Sequence, residues 1–230
     1  LIAFAIVSLG VIILRRTRPD LPRGYKSGCL FALTNCNKVT VNNQDVYTPF
    51  EVTALPQAVG KTGHRGFARY IDDYEAAGLD PASLPPAELA DLLRELDTVF
   101  TSTRPRSHES AARLAPHARL ASDALFVEAP LAAPLFPLLR MRVPKWAVVS
   151  RILWHAGFHP GIENPRAARR RADQAADILT ARARTTGSAA LVAHGYFNWM
   201  IGRALRRRGF VRSGSHRAHY WNTVIYESKA

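Results

Sequence analysis

At 230 residues the chain has room for one domain of ordinary size with a real core, or one domain and an appendage. Hydrophobic residues make up 47% and charged residues 21%, which excludes a disordered chain. A net charge of +13 favours anionic partners such as phosphorylated small molecules, nucleic acid or anionic lipid, although an Arg-rich solvated surface accounts for the same balance. Cys29 and Cys36 stand alone, so neither a disulfide framework nor a cysteine metal site is built, and the thiols fit a reducing compartment as well as any other.

The chain opens on "LIAFAIVSLGVIIL", residues 1–14, closed by Arg15 and Arg16. A membrane span needs about 20 residues. Because the sequence begins at Leu1, the segment reads in three ways: the end of a transmembrane anchor, a signal-peptide core, or a buried strand–helix segment. As an anchor, residues 1–14 would contact a membrane, and the arginines would hold the rest on the cytoplasmic side, at its inner face. Residues 1–23 form this apolar segment, and residues 24–62 form a second, compositionally distinct one. From Gly24 to His64 there is no arginine, while Asn35, Asn37, Asn42 and Asn43 cluster there. Its "VTVNNQDVYTPFEVTAL" predicts two short strands around an Asn-containing turn.

From residue 63 to 230 strands and helices alternate. "PPAELADLLREL" predicts a helix that sets Leu89, Leu92, Leu93 and Leu96 on one face. "TVFTST" is a strand, "HESAARLA" a helix and "DALFVE" an extended run. "PKWAVVSRILWHAG" is a helix running from Pro144 to Gly157. "NPRAARRRADQAADILTARAR" is a helix capped by Asn164; its alanines, with Ile178 and Leu179, should face the sheet and leave Arg169, Arg170 and Arg171 in solvent. "SAALVAH" is a strand, "YFNWMIGRALRRRG" a helix and "YWNTVIYE" a last strand. This order predicts an α/β fold: a three-layer α/β/α sandwich with a mainly parallel central sheet.

Ligands of such sheets bind beyond the carboxyl ends of the strands. Arg104 and Arg106 follow "TVFTST", Glu128 follows "DALFV", and His194 with Gly195 follows "SAALVA". A helix starting just past Gly195 aims free N–H groups at the same place, where they favour an anion. Arginine offers a planar fork to phosphate oxygens, and a tuned carboxyl can protonate a leaving oxygen. Histidine can donate to phosphate or attack it. The set suits phosphoryl transfer with no metal and no cofactor, and predicts that Arg106, Glu128 and His194 converge within about 12 Å.

"VFTSTRPRSHESAARLA", "ALFVEAPL" and "ALVAHGYFNWMIGRAL" resemble successive motifs of the histidine phosphatase, or phosphoglycerate mutase-like, superfamily. "GFARYIDDYEAAGLDPASLPP" and the ending "RALRRRGF…HYWNTVIYE" are similar to one bacterial branch of it. The resemblance covers residues 63–230. It implies a phosphate-pocket arginine at Arg106 within Ser-x-x-x-Arg-x-x-x-Ser-Ala, a proton donor at Glu128 and a second histidine at His194. Arg104 is a further candidate phosphate ligand.

The family's Arg-His-Gly, whose histidine becomes phosphorylated, is absent. Its place falls some 10–15 residues before Phe67, where the chain reads "EVTALPQAVGKTG". The nearest histidine is His64 in "TGHRG", which the branch pattern assigns to the following loop; His64 is the one candidate for a displaced nucleophile. A replaced first strand requires "FEVTAL" to pair in its stead, or the sheet lacks a strand. Two functions follow as expectations. One is phosphomonoester hydrolysis impaired by the lost nucleophile; the other is an inactive pseudophosphatase that binds an anion or a partner. The ligand in either is a phosphorylated small molecule or phosphate. "RAARRRAD" and "RALRRRGF" match no nucleic-acid reader.

Overall fold

A computed structural model describes residues 9–15, 40–41, 44–45, 60–213, 221 and 223–228 of the chain. The elements are β1 (Leu9–Arg15), β2 (Thr40–Val41), β3 (Gln44–Asp45), α1 (His64–Ala76), α2 (Ala87–Leu93), β4 (Thr98–Thr101), α3 (Pro105–Leu114), β5 (Arg119–Ser122), α4 (Val143–His155), α5 (Pro165–Thr186), β6 (Ser188–His194), α6 (Gly195–Arg207), β7 (Phe210–Ser213) and β8 (Thr223–Ser228). Six strands form one sheet in the order β5-β4-β6-β1-β8-β7. The β5-β4-β6 run is parallel, as is β1 with β8. The β6–β1 and β7–β8 pairings are antiparallel. β2 and β3 make a separate small hairpin on either side of Asn42 and Asn43.

Helices cover both faces, giving a three-layer α/β arrangement. The alternation along β6 divides the layers, because successive strand side chains point to opposite faces. Ala189, Leu191 and Ala193 join the buried residues of α5 and α6. Ala190 and Val192 join Leu89, Leu93, Ala111 and Leu114 of α2 and α3. With both faces covered, β6 reads as a nearly continuous apolar run.

Local chemistry sets the element ends. Asn164 accepts from the Ala167 N–H at 2.8 Å and starts α5, with Pro165 in the first turn. Gly187, at φ +82°, closes it in the left-handed conformation that glycine adopts without strain. A side chain at Gly202 would fall 1.8 Å from the Tyr226 hydroxyl, so only a glycine lets α6 lie this close to β8. A third cluster joins α1 to α4, where Phe67 and Trp146 stack at 5.8 Å. Trp146 Nε1 donates to the Thr62 carbonyl at 2.7 Å, beside a bridge between Thr62 and Met141.

Several expectations are corrected. The membrane contact expected of residues 1–14 is corrected: residues 9–15 form a strand inside the sheet, with partners on both edges, and residues 1–8 lie outside the described residues. No described helix is long and apolar enough to cross a membrane. An extended run hydrogen-bonded on both sides satisfies its backbone within the sheet, and this is the fate that the apolar sequence of residues 9–14 takes. "FEVTAL" lies outside the described residues; the position between β6 and β8 belongs to β1. "DALFVE" is not extended but contains a tight 3₁₀ turn at Ala124–Phe126. The Asp123 carboxylate accepts from the Leu125 N–H at 2.8 Å, offering the backbone a turn in place of a ladder, and the strand lies just before it. The sheet also gains β7, which the sequence reading did not anticipate.

Candidate functional site

The carboxyl ends of β4 and β6 are tied together by Ser107. Its hydroxyl accepts from the Ser102 N–H at 3.1 Å and donates to the Val192 carbonyl at 2.7 Å. Thr101 Oγ1 lies 2.6 Å from the same oxygen. This tie brings Ser102 Oγ to 2.7 Å from His194 Nε2. Ser102 Oγ also accepts from the Arg104 N–H at 3.2 Å.

Arg106, in the first turn of α3, is fully buried. One guanidinium nitrogen donates to the Tyr74 carbonyl at 2.7 Å. The other lies 3.4 Å from Glu75 Oε1 and 3.4 Å from His194 Nδ1. The cation sits 4.1 Å from the centre of the Tyr74 ring. Arg104 reaches the same carboxylate, with its nitrogen 2.6 Å from Glu75 Oε2. Glu75 therefore bridges two arginines from the end of α1. The Nε atoms of Arg104 and Arg106 are buried with no partner among the described residues.

This geometry fixes the His194 tautomer. A guanidinium only donates, so Nδ1 must accept from Arg106, and the imidazole proton sits on Nε2, donated to Ser102. Burial holds the His194 pKa well below its ordinary value, and the charges of Arg106, Arg104 and Arg171 push it the same way. His194 is neutral at pH 7.

Glu128 stands on the other side of the α6 N-terminus. Its carboxylate accepts from the N–H groups of Phe197 at 2.8 Å, Tyr196 at 3.1 Å and Ala129 at 2.9 Å. It thus satisfies two of the free donors of the first turn of α6. The expectation that these N–H groups would await a phosphate is corrected: a carboxylate of the chain already holds them. Burial pushes the Glu128 carboxyl above its ordinary value; the Arg151 charge and the three N–H groups oppose this without cancelling it. Arg151 is itself buried, donates to the Ala129 and Pro130 carbonyls, and lies over the Tyr196 ring at 4.1 Å.

Arg171 contradicts its expected place in solvent. It pairs with Glu163 at 2.7 Å, donates to the Leu125 and Val127 carbonyls at 2.8 and 2.6 Å, and lies 3.8 Å over Phe197. It clamps the turn that delivers Glu128 onto α6. The sequence did carry a signal for it: Arg171 falls four residues before the buried Ala175, beside the alanine stripe. Arg169 and Arg170 are exposed as expected, whereas Ile178 is 40% exposed rather than packed on the sheet. Glu75 and Arg151 were not read from the sequence either. Neither carries a local motif, and only the fold brings them to the site.

The structure brings Arg104, Arg106 and His194 together and sets Glu128 on the backbone that follows His194. It does not bring His64 there. His64 begins α1 and Glu75 lies in its last turn, about 16 Å further along the helix at 1.5 Å per residue. Among the described residues no group of three His, Cys, Asp or Glu could hold a metal ion. No family model matches the chain, and neither curated proteins nor solved structures yield a match.

Proposed function

We propose that this is a histidine-phosphatase-like domain that binds a phosphomonoester or phosphate at Arg104, Arg106 and His194, with covalent phosphoryl transfer impaired. The observation that carries the reading is the Glu75 carboxylate bridging Arg104 and Arg106 beside His194. Two guanidinium groups with buried, unpartnered Nε atoms converge on one acidic group. A phosphate with three oxygens could take the place of that two-oxygen carboxylate and use more of the donors. Glu128, kept more basic than usual by burial, supplies the proton for a leaving oxygen.

The impairment rests on the missing Arg-His-Gly and on the strand that sits beside β6. β1 runs antiparallel to β6 and sets Leu9 opposite His194, so no histidine is delivered at that register. Without an attacking imidazole the two-step covalent route is closed.

Calorimetric titration of the intact chain with inorganic phosphate and vanadate tests the reading. Binding is expected, lost in Arg106→Ala and strengthened by about tenfold in Glu75→Gln, where the competing charge is gone. Absence of binding in both wild type and Glu75→Gln overturns the proposal. Turnover of p-nitrophenyl phosphate should be weak or absent. Robust turnover abolished by His64→Ala would instead show that a displaced histidine attacks.

A further inference from the structure

A cavity of about 40 Å³ opens between α1 and α4, next to the two acidic groups of the site. Phe67, Tyr70, Ile71 and Tyr74 line one wall from successive turns of α1, and Leu131 and Ala147 line the other. Their spacing of three and four residues makes a continuous apolar stripe. Glu75, Glu128 and the buried cation Arg151 are the charged groups that border it. Tyr70 and Tyr74 stack at 6.2 Å, presenting ring surface to the space.

Accepting the anion site proposed above, the cavity lies where the rest of the ligand must go. A phosphate on Arg104 and Arg106 displaces the Glu75 carboxylate. Its bridging oxygen can then turn toward Glu128, on the side where the cavity lies. The carbon beyond that oxygen then enters the space bordered by both groups. We infer that this cavity receives the alcohol portion of the phosphomonoester and that the alcohol is apolar, an aryl or alkyl group. Apolar walls reward burial of such a group in proportion to its area. The enclosed space holds only a few non-hydrogen atoms, so a ring enters by its edge and the remainder projects through the mouth.

Three non-hydrolysable phosphonates separate this inference from the reading beneath it. Phenylphosphonate, methylphosphonate and phosphonoacetate are titrated into the intact chain by calorimetry. Phenylphosphonate is expected to bind about tenfold tighter than methylphosphonate, with phosphonoacetate, which brings no apolar area, showing no such advantage. Ile71→Trp, at a half-buried position on α1, narrows the cavity; it should erase the phenyl advantage and leave methylphosphonate binding within about twofold. Tyr70→Ala removes one wall and should reduce the same advantage. Equal binding of phenyl- and methylphosphonate, or a phenyl advantage that survives both substitutions, overturns the apolar subsite while the anion site stands. Binding of none of the three, with inorganic phosphate also silent, removes the anion site and this inference with it.

Discussion

Two arginine–carboxylate clusters lie on different parts of the molecule and follow different physics. At the site, Arg106 is fully buried and shares Glu75 with Arg104. Between α5 and α6, Arg207 and Arg208 pair with Asp173 at 2.8 and 3.0 Å, and Arg208 pairs with Asp177 at 2.8 Å. The second cluster has equally good distances, but Arg207, Asp173 and Asp177 stay exposed to water, where Coulomb attraction is weak and side-chain ordering offsets it. In the first, Arg106 is shut off from water, so its charge depends on protein acceptors. Distance alone does not distinguish a site from a surface pair; burial and the orphaned Nε atoms do.

The largest effect should come from breaking the buried cluster. Arg106→Ala is expected to destabilise the fold by about 3 kcal/mol, read as a lower urea midpoint, because it strips partners from Glu75, His194 and the Tyr74 carbonyl together. A loss below about 1 kcal/mol would place Arg106 with the surface arginines. Glu128→Ala comes next, at about 2 kcal/mol, since it leaves the first N–H groups of α6 without their acceptor.

The same region should titrate in two directions. Folded His194 takes up its proton only at lower pH than an unfolded histidine, which does so below about pH 6.5. Below that pH the unfolded chain binds more protons, so stability falls as pH falls. His194→Asn should flatten this slope in pH-dependent urea unfolding. Glu128 acts oppositely. Its folded pKa lies above the unfolded value, so the folded state holds the extra proton and stability falls as pH rises through and beyond about 4.5. Glu128→Gln should remove that fall. The smallest effect belongs to the surface cluster: Arg207→Ala should shift stability by about 0.5 kcal/mol or less, and a loss near that of Arg106→Ala would erase the distinction.

What the sequence made legible follows the same division. The span of β6 from Ser188 to His194 and the Asn164 cap of α5 were readable, because an apolar run and a cap are local signals. Arg104 and Arg106 were placed at a strand end by the same means. Glu75 was not, because a carboxylate on a mixed helix has no pattern that names its partner. Arg171 and Ile178 were misjudged together. Seven residues apart, they share the flank of α5, where a long cationic side chain can reach carbonyls and an isoleucine misses the sheet. Asp123 shows the third kind of failure: a strand-like run overruled by one side chain that caps a turn.

The partnership of β1 with β6 has a consequence for how the chain matures on the ribosome. A strand from near the start of the sequence pairs in register with one from near its end, Leu9 opposite His194 and Arg15 opposite Ser188. β1 is made before β4 and β5, yet the middle of the sheet stays unfilled until β6 and β8 have been synthesised. Contacts this distant slow folding, and they leave an apolar N-terminal strand waiting while translation continues. During that interval the segment is exposed to chaperones and to aggregation, so the yield of folded protein should respond to translation speed across the second half of the message.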